Sequence, residues 1–214
     1  IHFLERILQL KFRSPEMTSW KKSWFDAFSV VIYETFLYVI AILIKYNDCQ
    51  VLHKIFKTHY LLPVAARTSN YNFKPFNIFY GQADILQEIL APQGRKLHSP
   101  TAEFIHKNAD RQDIKFSSIV EAELLCFIMS CINTEARWYP QTLYYSKNNN
   151  FPFFLRATQH DHFIELAMIT GIKAIELKGR IIEGFKQLNA QSWQVFFFED
   201  FGYLINLDKW DTLT

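Results

Sequence analysis

The chain has 214 residues, half of them hydrophobic and 17% aromatic, with 21 phenylalanines but only six glycines and seven prolines. That balance excludes a disordered chain and argues against a turn-rich all-β fold, while the length suits one domain or one domain with a small appendage. The net charge of +2 is the difference of 23 basic and 21 acidic residues scattered along the chain, so composition gives no electrostatic reason to expect nucleic acid.

Residues 3–12 place Phe3, Leu4, Ile7, Leu8 and Leu10 at helical spacing, and Pro15 closes that first helix. A second helix is expected from near Thr18 to about Tyr46 and contains the longest apolar segment, WFDAFSVVIYETFLYVIAILIKY, Trp24 to Tyr46. A bilayer span needs roughly 20 predominantly apolar residues. Here only Phe36 to Ile44 is uninterrupted, and Glu34 would fall near mid-bilayer at high cost. The segment therefore reads as a core helix surrounded by other helices, not as an anchor, and a membrane is not expected as a partner. Asn47 and Asp48 supply a turn and a cap, and Val51, Leu52, Ile55 and Phe56 predict a third helix, antiparallel to the second.

Residues 63–76 read as a polar connection, followed by a helix from Phe76 to Leu90 despite Gly81. Pro100 and Thr101 start a short helix, and Ser117 is placed to cap a strongly apolar helix to about Thr134. In 142–157, TLYYS and FPFFLRA flank KNNN, which predicts a small β-hairpin or an extended loop. Two helices, 161–170 and 174–188, are joined across Gly171, with Asp161 as the cap of the first. The aromatic tail from Trp193 to Trp210 finishes as a strand or a docked short helix. The expectation is a mainly α multi-helix bundle, with 1–140 as helical core and 141–214 as a C-terminal subregion packed on the same domain.

Cys49, Cys126 and Cys131 are odd in number and sit in apolar helical contexts, which predicts reduced thiols and a cytoplasmic location. No secretory leader opens the chain, and a first residue Ile1 in place of methionine predicts that sequence precedes it.

Chemistry-bearing residues are sparse. Arg156 and His162, separated by five residues in RATQHDH, fit the Arg, four to six residues, His pattern of HEPN ribonucleases. In such enzymes the two side chains polarise the ribose hydroxyl and stabilise the phosphorane without a metal. His160, His162 and Glu165 are the candidate metal ligands, weighed against a cap and a solvated helix start. Glu34, Glu121 and Glu123 are candidates for buried carboxylates that either move protons or close an internal hydrogen bond with a Tyr or Arg of another helix. Arg137, Trp138 and Tyr139, with Trp193 and Trp210, have the composition of partner-binding anchors. No cofactor is expected.

The order of FLYVIAILIKYNDCQVLHKIFKTHY, WYPQTLYYSKNNNFPFFLRA and FIELAMITGIKAIELKGRI resembles a poorly characterised helical domain of bacterial multi-domain and multi-subunit anti-phage defence proteins. The resemblance is one of pattern and brings no catalytic residues with it. It implies a sensing, scaffolding or assembly role beside a separate protein partner such as an ATPase or nuclease. Three functions follow as expectations: a non-catalytic interaction or assembly module, a HEPN-like ribonuclease, or a nucleic-acid-binding accessory subunit.

Overall fold

A computed structural model describes residues 1–12, 16–19, 21, 23–62, 73–83, 85–91, 94, 96–110, 113–147, 150–190 and 198–213. The fold is mainly α-helical, as the periodicity predicts. Helix α1 (His2–Leu8) buries Leu4 and Leu8 and tightens into a 3-10 turn, Gln9–Lys11. Helix α2 (Ser23–Lys45) is followed by α3 (Cys49–Lys57) across a turn in which Asn47 takes φ 55°, a conformation Asn tolerates. Asp48 caps α3 by accepting from the Val51 amide at 3.1 Å.

Strands β1 (Tyr60–Leu61) and β2 (Phe73–Lys74) form a two-residue antiparallel pair, Tyr60 opposite Lys74 and Leu61 opposite Phe73. The connection between them lies outside the described residues. The expected helix from Phe76 to Leu90 is divided into a 3-10 turn, Phe76–Phe79, and α4 (Ile85–Leu90). Gly81 explains the break: a Cβ there would lie 2.4 Å from the Ser29 carbonyl oxygen, so the chain passes tight against α2 in a path that a side chain would block. Helix α5 (Pro100–Asn108) starts with Ser99 as cap and Pro at its first turn.

Helix α6 (Phe116–Ile132) is the true centre. Every residue from Ile119 to Cys131 is buried, and α2 and α9 pack against it. Its start is held by the Asp110 carboxylate, which accepts from the Phe116 amide at 3.0 Å; Ser117 does not cap it. The segment 142–157, expected as a small hairpin or an extended loop, has no strand among its described residues; it holds a 3-10 turn, Thr142–Tyr145, and then α7 (Pro152–Arg156). Phe153 and Phe154 are adjacent and both buried, which a two-faced strand cannot arrange, and Pro152 suits the first turn of a helix.

Helices α8 (His160–Thr170) and α9 (Ala174–Ala190) follow, with Gly171 at φ 70° making the left-handed stop between them. Gln159, not Asp161, is the cap residue of α8. The tail takes its helical option as α10 (Phe198–Leu204) and a 3-10 turn, Leu207–Thr212. Helix α8 packs on α3. Gly184 lets α9 approach α6 so closely that a Cβ would stand 1.8 Å from the Cys131 carbonyl oxygen. Cys49, Cys126 and Cys131 are free thiols, all buried on α3 and α6.

Candidate functional site

Trp138, an expected partner anchor, is the hub of the core. Its fully buried indole stacks on Tyr33 and Phe76 at centroid distances of 5.5 and 5.9 Å and meets Phe36 and Tyr80 at 5.5 and 5.2 Å. Trp210 is also fully buried, beside Phe163 at 5.3 Å. Both indoles are spent on holding this chain together, so neither is open to a partner in this fold. Arg137 is exposed, Tyr139 is half-buried, and Trp193 lies outside the described residues.

Behind Trp138 sits Glu123, fully buried on α6 and the acceptor for four donors. Tyr33 OH and Trp138 Nε1, the latter at 3.3 Å, reach Oε1; the Thr142 amide and hydroxyl reach Oε2 at 2.8 and 2.6 Å. Burial pushes the Glu123 carboxyl up, and the bonds from Thr142 and Tyr33 pull it back. Burial and the neighbouring Glu123 together raise the Tyr33 phenol well above its ordinary range. The sequence expectation of a carboxylate closed by a tyrosine of another helix describes this pair.

Glu121, two residues before Glu123 on α6, accepts from the Phe153 amide at 2.5 Å. Burial pushes its carboxyl up to about 7, against the opposing effects of that amide and of Arg156. Below its ordinary value of 4.5 the group is neutral in folded and unfolded chain alike; between there and about 7 only the unfolded chain releases the proton. Stability contributed by Glu121 is therefore present in full below about pH 4.5 and is lost as pH rises through about 7. Glu121→Gln, which cannot titrate, is expected to have a shallower fall in thermal midpoint between about pH 4.5 and about pH 7.5 than the parent chain. Parallel pH curves for the two proteins would show that the Glu121 proton is not coupled to folding.

A concave feature adjoins the Glu123 network. A pocket of about 350 Å³ is lined by segments from three parts of the chain: Tyr80 to Ala83, His98 to Thr101, and Tyr139 to Tyr144. Its buried members are bonded to each other. Ser99 Oγ donates to Gln141 Oε1 at 2.6 Å, Gln141 Nε2 donates to the Gly81 carbonyl at 3.2 Å, and the Ala83 amide donates to Thr101 Oγ1 at 3.1 Å. Two exposed members, His98 and Tyr144, stack with centroids 5.3 Å apart and planes within 6° of parallel. Among the described lining residues there is no carboxylate, lysine or arginine.

Arg156 and His162 lie at the end of α7 and the start of α8, and both act on Glu165. His162 Nδ1 is 2.8 Å from Glu165 Oε2, and Asn47 Nδ2 donates to Oε1 at 2.8 Å. Burial pushes the Glu165 carboxyl up, but the His162 and Asn47 bonds and the charges of His162 and Arg156 outweigh it and hold the group below its ordinary value. His160 does not join them as a metal ligand. It is exposed and 3.6 Å from Asp161, and residues two apart on a helix do not face each other. Among the described residues no three His, Cys, Asp or Glu side chains are grouped to share an ion.

Helix α2 departs from the expectation of a surrounded core helix. Its stretch Trp24–Lys45 is long and apolar enough to cross a membrane, yet only half of its most apolar window is buried. Trp24, Phe28, Val31 and Ile42 are 52, 42, 52 and 41% exposed. Their spacing of four, three and eleven residues puts them on one face, with half-buried Thr35 and Tyr38 between. The stripe runs roughly 27 Å at 1.5 Å per residue.

Comparison with protein-family models, with curated proteins and with solved structures finds no significant match, so the chemistry of the site is read from the residues of this chain alone. The pocket and the α2 stripe are the two features that reasoning from sequence missed. The 4-3 recurrence of Trp24, Phe28 and Val31 was a signal available for the stripe. The pocket has no local signal, since its three segments meet only in the fold.

Proposed function

We propose that this chain is a non-catalytic helical interaction and assembly module of a bacterial defence complex, working in the cytoplasm beside a separate ATPase or nuclease effector. The observation that carries the interaction part is the apolar stripe of α2. Large apolar side chains left in water along one helix face cost free energy that only a covering surface recovers. A partner helix with apolar residues at three- and four-residue spacing matches a stripe of this length and period. The defence setting rests on the resemblance of pattern in 36–60, 138–157 and 163–181. Affinity purification from the native cytoplasm is expected to bring down a stoichiometric protein partner. The pair Trp24→Ser and Phe28→Ser is expected to weaken that complex at least about tenfold while shifting the thermal midpoint by less than about 2 °C, because both side chains are exposed. A chain that purifies alone defeats the module reading; a double variant with undiminished affinity moves the interface off α2.

A HEPN-like, metal-independent ribonuclease is the second reading, supported by the spacing of Arg156 and His162 across the start of α8 and by the 2.8 Å contact of His162 with Glu165. It requires RNA cleavage by the purified chain in the presence of a chelator and its loss in both Arg156→Ala and His162→Ala. Cleavage retained by either variant rejects it.

A further inference from the structure

The geometry points to the pocket between Tyr80, His98, Tyr139 and Tyr144 as a binding site for an uncharged, planar heteroaromatic group of nucleobase size. This does not rest on the assembly reading. The volume of about 350 Å³ lies at the small end of the range for ligand sites, which suits a base or nucleoside and excludes a folded peptide. Three tyrosines and a histidine line it, and a flat π-system is the ligand shape that an aromatic lining holds at low entropic cost.

The polar groups are of the kind that read the edge of a base. Gln82 and Gln141 carry both donors and acceptors, Ser99 and Thr101 carry hydroxyls, and the side chains of both glutamines already bond the Tyr80 hydroxyl. Ser99 and Gln141 are fixed by their mutual 2.6 Å bond and by the Gly81 carbonyl, so the polar surface is preformed. Charge selects against an anion. Among the described lining residues no lysine or arginine is placed to pair with a phosphate, and buried Glu123 acts on Tyr80 from behind with negative potential.

The stacked pair at the exposed side gives a clean handle. Tyr144 is 52% exposed, so its loss leaves the core intact. The test is titration calorimetry and saturation-transfer NMR of the whole chain with adenosine, guanosine and uridine, using adenosine monophosphate as the charged comparator. At least one nucleoside is expected to bind one to one below about 1 mM, and the monophosphate no more tightly than adenosine. Tyr144→Ala is expected to weaken binding at least about fivefold, Tyr144→Phe to preserve it, and Tyr203→Ala, an exposed tyrosine elsewhere, to leave it unchanged. A single-stranded oligouridylate that binds more than about a hundredfold tighter than uridine, with the same dependence on Tyr144, would place the base in a strand; equal affinities would place it in a free nucleoside. The proposal is overturned if no nucleoside binds at 1 mM, if the monophosphate binds about tenfold tighter than adenosine, or if Tyr144→Ala binds as the parent does.

Discussion

Replacing Glu123 by alanine is expected to lower the thermal midpoint by about 10 °C, the largest loss from any single polar side chain in this protein. The carboxylate receives donors from Tyr33, Trp138 and Thr142, three separated places in the chain. Its removal leaves buried N–H and O–H groups without an acceptor, at about 1–3 kcal/mol each before relaxation, and adds the cost of a cavity. Hydroxyls can turn to new partners, so about 3–5 kcal/mol is a reasonable net loss, and in a chain of this size each kcal/mol is worth about 2–4 °C. Glu123→Gln has a smaller expected effect, about 1–3 kcal/mol. Whichever way the amide is turned, its NH₂ faces either the Trp138 indole or the Thr142 backbone, both donors, and one N–H is orphaned. Tyr33→Phe leaves three donors in place and should cost about 1 kcal/mol. The order Ala, Gln, Phe can be read by calorimetric melting at neutral pH. Equal midpoints for Glu123→Ala and the parent would show that the four bonds do not form.

Gly184→Ala is expected to destabilise by about 3 kcal/mol or more, although alanine is the better helix former. A methyl group at this position coincides with the Cys131 carbonyl oxygen at 1.8 Å, and that oxygen belongs to the backbone of α6, which cannot rotate away as a side chain would. Helix α9 must lift from α6, and Leu177, Ile181, Phe185 and Leu188 lose contact together. Gly179 provides the control within the same helix, for its Cβ would meet nothing within 4 Å. Gly179→Ala should stabilise by about 0.5–1 kcal/mol through propensity alone. Opposite shifts of the two midpoints are the expected result; two shifts of the same sign would mean that α9 does not cross α6 at Gly184.

Some helix ends were legible in the sequence from turn chemistry, whereas the expected caps Ser117 and Asp161 do not cap their helices. Asp48, Ser99 with Pro100, and Gly171 each act as their residue types predict. What failed was the distinction between the two most apolar helices. Both α2 and α6 are rich in large apolar residues and both carry carboxylates, and neither composition nor period says which is enclosed when the enclosing helices come from distant parts of the chain. The segment 142–157 failed for a related reason. Aromatic and amide residues favour a strand locally, but Phe151, Phe153 and Phe154 are all drawn into the core, and only a helical path delivers adjacent side chains to the same side. Of the candidate site residues, His162 and Glu165 meet because they lie three apart on α8. The pocket could not be read because Tyr80, His98 and Tyr144 are brought together by the packing of α5 against the turn Thr142–Tyr145, which no local pattern encodes.

The three thiols offer a clock for the opening of the molecule. Because Cys49, Cys126 and Cys131 are buried and their burial disfavours the thiolate, an alkylating reagent reaches them only when the chain around them lets go. Cys126 and Cys131 sit in the fully enclosed α6, whereas Cys49 opens α3 beside an exposed turn, so the order in which they react separates a local fraying of the α2–α3 corner from the loss of the whole core. The chain thus carries, without any added label, a record of which part gives way first.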